Sequence, residues 1–246
     1  MISKKASLVA LAVFLPLSIG AGVLSESALR MEYSAEQPSE NLDARVAALI
    51  ANLRKSREAM KQYEWIETTT VFVGGEQKAE IEKRCYYGAD GKVEKVLLTQ
   101  PAPPERKRGL RGMIAAKKKT ELSGEMKQAV ETLHQYVPPD HEQIQRCKDA
   151  GNASFDMLEP GKLVRLNFKN YRVPEDKLSI EVDLVVNRPK ALTVSSYIDT
   201  PAKPLNCDVQ FGVLEDGSTY AEQTTLKLEK QDIKVVVENS GYRKQP

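Results

Sequence analysis

The sequence predicts an α+β fold: a strongly curved antiparallel sheet of about ten strands, an incomplete barrel, covered by helices. Three observations carry that prediction. Apolar and polar residues alternate over 63–99 and again through most of the chain after residue 162, the period of half-buried strands. Helical spacing is confined to two segments, 39–61 and 112–149. A sheet this long with one solvated face must curl, split or close to bury the other face, and the two helical segments are available to cover the concave side.

Taken in order, the first ordered element is a helix. Ser39 or Asn41 is a suitable N-cap, and Leu42, Val46, Leu49, Ile50, Leu53 and Met60 recur on one stripe opposite Arg45, Asn52, Lys55 and Glu58. At Tyr63 the period changes to two. Tyr63–Val73 is rich in β-branched and aromatic residues, and Gly74-Gly75 turns it into Gln77–Tyr87. "GADG" at 88–91 turns the chain again into Val93–Thr99, completing a three-stranded meander. "PAPPERKRGLRG" at 101–112 breaks the pattern. A helical stretch follows, with Leu122, Met126, Ala129, Val130, Leu133 and Val137 on one stripe. Pro138-Pro139 ends it, and Asp140 caps a shorter helix to about Lys148.

After Gly151-Asn152 the chain returns to strands. Val164, Leu166 and Phe168 share a face within 162–170. "KLSIEVDLVVNRPKALTVSSYID" at 177–199 reads as a hairpin with Leu178, Ile180, Val182, Leu184 and Val186 on one arm. Its turn falls at Asn187–Lys190, and Leu192, Val194, Ser196 and Ile198 make the other arm. Leu205–Val213, Thr219–Leu228 and Ile233–Val237 complete the series, which with the three strands before the insertion makes a sheet of about ten.

The N-terminus has the charged, apolar, then small-residue order of a secretory signal: Lys4 and Lys5, the run Ala6–Ile19, then Gly20, Ala21 and Gly22. Residues 1–22 are therefore expected to be an export signal and 23–38 a flexible leader, with 39–243 a single domain carrying a helical insertion at 105–150. The expected location is the periplasm or outside the cell. The alternative is an uncleaved N-terminal segment anchored in the inner membrane; Pro16, Ser18 and the glycines make the run a poor span. Removing 1–22 takes away Lys4 and Lys5 and no acid, so 36 basic against 34 acidic residues become 34 against 34. A neutral exported protein has no general attraction to nucleic acid.

The order of elements resembles the periplasmic lipoprotein-carrier superfamily, the LolA/LolB-like fold. The resemblance lies in the export signal, the leading helix, the meander "YEWIETTTVFVGGEQKAEIEKRCYYGADGKVEK", the helical insertion and the hairpins running to "LEKQDIKVVVENSGYRK". It covers roughly residues 39–243 and is one of layout, with no diagnostic motif. It implies a protein that holds acyl chains or other apolar ligands between a curved sheet and lid helices. Related domains, of the RseB type, serve instead as envelope-stress sensors. No position here is matched to the carriers' lid-locking arginine. The insertion is unusually basic and the aromatic lining thin.

The expected function is accordingly that of an exported binding protein for a lipid, an acyl chain or a lipidated protein, with no catalytic residues, metal or cofactor. The alternative is an envelope sensor or interaction protein with a sealed core. Val164, Leu166, Phe168, Ile180, Val182, Leu184, Val194, Val209 and Phe211 form the apolar face expected to line a ligand cavity under 112–149. Arg106, Lys107, Arg108, Arg111, Lys117, Lys118 and Lys119 are interrupted by no acid. Most such runs are solvated; the functional reading is transient docking on anionic headgroups, where each basic residue contributes about 1 kcal/mol. His134 and His141 are separated by Pro138-Pro139, so no i, i+4 spacing joins them. No hydrolase, zinc-protease or phosphate-loop motif is present. Cys85, Cys147 and Cys207 lack metal-ligand spacing, and an odd count permits one bridge or three buried thiols. Cys85 and Cys207 alternate with apolar positions and are expected to be buried.

Overall fold

The computed structural model describes the backbone of residues 38–99 and 110–245, and the side chains of 47–99 and 122–245. The expected export signal, the leader up to residue 37 and the residues Arg106, Lys107 and Arg108 lie outside the described residues. Arg111, Lys117, Lys118 and Lys119 fall on a described helical backbone, and their side chains lie outside.

Helix α1 (Pro38–Met60) opens on a proline, which the first helical turn accepts because its missing N–H has no intrahelical partner there. It leads into the meander β1 (Tyr63–Val73), β2 (Glu76–Tyr87) and β3 (Val93–Leu97). Helices α2 (Leu110–Leu133) and α3 (His141–Asp149) follow. Seven strands complete the chain: β4 (Ala153–Glu159), β5 (Leu163–Lys169), β6 (Lys177–Asp183), β7 (Arg188–Tyr197), β8 (Pro204–Val213), β9 (Thr219–Leu228) and β10 (Ile233–Lys244).

All ten strands join one antiparallel sheet in the order β3-β2-β1-β10-β9-β8-β7-β6-β5-β4. Pairing of β1 with β10, from Tyr63↔Lys244 to Val73↔Ile233, splices the first meander onto the second. The edges are then β3 and β4, and the sheet stays open between them. The chain from β3 to β4 passes through α2 and α3, so both helices belong to the connection between opposite edges. Bulges at Val71/Phe72, Glu181/Val182 and Gln210/Phe211 add local twist and bend the strands that carry them.

Three packing regions share the helix-covered face, the smallest being Met60, Trp65 and Cys85 where α1 leads into β1. Under α1 and α3, Leu49, Ile144 and Cys147 pack with Val164, Leu166, Phe168, Leu178, Ile180, Val182, Leu192 and Val194, and Tyr136 and Tyr171 fill the remaining space. Under α2, Ala129 packs on Ile198, Leu205, Leu226, Leu228, Ile233 and Val235, with Leu122, Met126 and Leu133 beside them. No described helix is long and apolar enough to cross a membrane.

The structure corrects the hairpin at 177–199. Strand β6 ends at Asp183, and the turn falls on 184–187 rather than at Asn187–Lys190. Asp183 Oδ1 accepts from Val185 N at 2.9 Å and Val186 N at 3.3 Å, and Asn187 takes φ 50°, so the local turn chemistry outweighs two apolar residues. Pro189, expected in the turn, instead pairs with Val182 beside the bulge, where a ladder position without an N–H is tolerated. Strand β4 is the one the alternation leaves unmarked: six of its seven residues are exposed, so its pattern lacks a buried face.

Candidate functional site: an apolar cavity beneath helix α2

Pairing aligns two rows of side chains across four strands. Val71, Val235, Leu226 and Cys207 make one row; Thr69, Val237, Thr224 and Val209 make the next. Both rows face α2, and all eight residues line a cavity of about 1350 Å³. Val73, Ile233, Phe211 and Ala221 extend its floor, and Gln77, Lys78, Ala79 and Glu80 of β2 form one rim. Leu122, Ser123, Met126, Val130 and Leu133 of α2 form the roof, followed by His134 and Val137 in the turn after it. The volume exceeds the roughly 300–1,000 Å³ common for small-molecule sites. Val130 of α2, which lines the cavity, is 40% exposed among the described residues.

The cavity follows from side-chain size. Its two floor rows hold four Val, two Thr, one Cys and one Leu, roofed among the described residues by one helix. The neighbouring half of the sheet carries Phe168, Tyr171 and Tyr136, and two helices close over it. There lies a smaller space of about 240 Å³, bordered by Leu166, Phe168, Ile180, Leu49, Ile144 and His141.

The residues expected to line a cavity are thereby divided. Val209 and Phe211 reach the large cavity. Leu166, Phe168 and Ile180 border the small one. Val164, Val182 and Val194 lie in the packed core and reach neither. Leu184 sits in the turn after β6, partly buried against that core. Sequence reasoning missed Thr69, Val71, Thr224, Leu226, Val235 and Val237. The alternation of β1, β9 and β10 marks their face, and only the β1–β10 pairing brings them together.

No reactive polar constellation lies at this site among the described residues. His134 is exposed at the cavity margin, and His141 begins α3 beside the smaller space. All three cysteines are buried free thiols. Cys207 lies in the cavity floor, where burial pushes its thiol up to about 12 and keeps it protonated at neutral pH. Burial also raises Cys85 and Cys147.

No family model matches the chain, and neither does any curated protein. Among solved structures, the chain is similar to a DUF1329 family protein from Desulfovibrio piger, with 9% identity, 82% of this chain and 92% of that chain covered, and a TM-score of 0.39. It is also similar to a LolA superfamily protein from Nitrosomonas europaea at 10% identity, covering 80% and 94%, with a TM-score of 0.35. A third is an outer membrane lipoprotein-sorting protein domain from Vibrio parahaemolyticus at 9% identity, covering 78% and 91%, with a TM-score of 0.34.

Proposed function

We propose that this protein is an exported, non-enzymatic binding protein that sequesters a lipid, an acyl chain or a lipidated protein in the cavity beneath α2. The observation that carries this reading is the cavity of about 1350 Å³, floored by two cross-strand rows of largely apolar side chains and roofed by the apolar stripe of one helix. Burying apolar ligand surface there is favourable by about 25 cal/mol per Å². The signal-like segment in residues 1–22 supports action in the periplasm or outside the cell. An envelope sensor with a sealed core is the competing function, and the open half of the sheet weighs against it.

Native mass spectrometry with lipid extraction tests the reading directly. An apolar ligand should co-purify with the wild-type protein. Val237→Phe and Val209→Phe place bulk in the cavity and should reduce bound lipid with little loss of stability. Val182→Phe overpacks the sealed half, and should cost about 1–3 kcal/mol while leaving bound lipid unchanged. A wild-type protein that neither carries nor takes up apolar ligand would decide for the sensor.

A further inference from the structure

The face that floors the cavity does not remain apolar along its whole length. On β1, Thr69, Val71 and Val73 line the cavity, and strand alternation puts Trp65 and Glu67 on the same face. Glu67 lies two residues beyond Thr69, about 7 Å along the strand. Directly opposite it on β2 is Lys83, and Lys95 of β3 joins the same face through its pairing with Cys85, the partner of Trp65.

Glu67 is nearly enclosed, with its side chain 11% exposed. Its Oε2 accepts from Lys95 Nζ at 2.5 Å, and its Oε1 lies 3.9 Å from Lys83 Nζ. Among the described residues, two ammonium groups share this one carboxylate, one more positive charge than negative beyond the end of the apolar floor. The lysine side chains are themselves 32% and 44% exposed, and so remain within reach of a ligand. Beyond them the same face is occupied by Trp65, stacked on Tyr242 at 5.7 Å, and by Cys85. Trp65 Nε1 donates to Asn239 Oδ1 at 3.1 Å.

An apolar floor that runs on the same face toward these lysines, which stand beyond the residues bordering the cavity, matches an amphiphile. We propose that Lys83 and Lys95 are the headgroup site of the cavity, and that the ligand is an acyl chain carrying an anionic oxygen headgroup, a carboxylate or a phosphate. This rests on the apolar-cavity reading and adds to it the charge of the ligand. Beside apolar walls the attraction between ammonium and oxyanion is stronger than in bulk water, because less solvent screens it.

The test uses the delipidated full-length protein and three probes of equal chain length: palmitate, hexadecyl phosphate and hexadecanol. Binding is read by displacement of a neutral naphthylamine dye and by emission of Trp65, the single tryptophan of the chain. The two anions should bind about tenfold or more tightly than the alcohol, the scale of a hydrogen bond to a charged group. Lys83→Gln with Lys95→Gln should erase that preference and leave hexadecanol unchanged. Glu67→Gln releases both lysines and should tighten the anions alone, whereas an ion pair that merely stitches the strands would change thermal stability and leave the preference untouched. Should the double variant fail to fold, Glu67→Gln still decides. Hexadecanol binding as tightly as palmitate overturns the headgroup site and leaves the cavity standing; failure of all three probes to displace the dye overturns both.

Discussion

Asp176 is the most deeply buried acid among the described residues, 2% exposed, and it is held entirely by hydrogen bonds. Its Oδ2 accepts from Tyr136 Oη at 2.6 Å, Arg172 N at 2.9 Å and Val173 N at 3.1 Å, while Oδ1 accepts from Tyr171 N. Tyr136 Oη is also 2.8 Å from Ser196 Oγ on β7. This residue stands just after α2, so the network clasps the end of the cavity's roof to the sealed half of the sheet. Tyr136→Phe removes one donor from a buried carboxylate and should destabilise the protein by about 1–3 kcal/mol in urea unfolding at neutral pH. Burial, reinforced by the bond to Asp176, raises the Tyr136 phenol, and burial raises Tyr171 and Tyr242 as well. The unfolded chain's tyrosines ionise near about 10. Stability from these phenols is therefore complete below that pH and falls as pH rises toward their folded values. Tyr136→Phe should lose less stability than the wild type across that alkaline range.

Among the elements, α3 shows most clearly how a short helix is held. At nine residues it is too short to persist alone, and it depends on its cap and on Ile144 and Cys147 packed beneath it. Asp140 Oδ1 accepts from Glu142 N at 2.8 Å and Gln143 N at 3.3 Å, and Tyr171 Oη accepts from Asp140 N at 2.7 Å. The N–H of Gln143, then that of Glu142 and the charge of Arg172, hold the Asp140 carboxyl below the usual range. A depressed carboxyl contributes stability above its unfolded value, near about 4, and loses it as pH falls through the folded value. Asp140→Ala should therefore lower the melting temperature at pH 7, and the difference from wild type should shrink in acid, where only the neutral acceptor remains. Asp140→Asn, which keeps the side-chain acceptor, should recover much of the loss.

At the scale of the whole molecule, one sheet is covered unevenly. Among the described residues, two helices and an aromatic filling seal β5–β7, whereas α2 alone spans the cavity over β1 and β8–β10. Opening free energies should follow that division, because amides exchange slowly where apolar packing is dense. Hydrogen exchange should be slowest in β5–β7 and faster in α2 and the edge strand β3. Palmitate binding should slow α2 and β10 while leaving α3 unchanged. Equal protection of α2 and α3 without ligand would show that the cavity is closed in solution.

Periodicity made much of this architecture legible. The change from helical to two-residue spacing at Tyr63 marks β1, and the prolines at 138–139 separate α2 from α3, because these signals act within a few residues. Short-range chemistry defeated that reading at Asp183, whose carboxylate turns the chain before Val185 and Val186, and at β4, whose exposed residues leave no pattern. The candidate site was legible only in part. Alternation identifies an apolar face on Val182 and on Val235 alike, since it reports which side of a strand avoids water. What covers that face depends on neighbours far away in the chain. The pairing of Val71 with Val235, 164 residues apart, and the bulk of Tyr136, Phe168 and Tyr171 decide that Val182 is packed while Val235 faces a cavity.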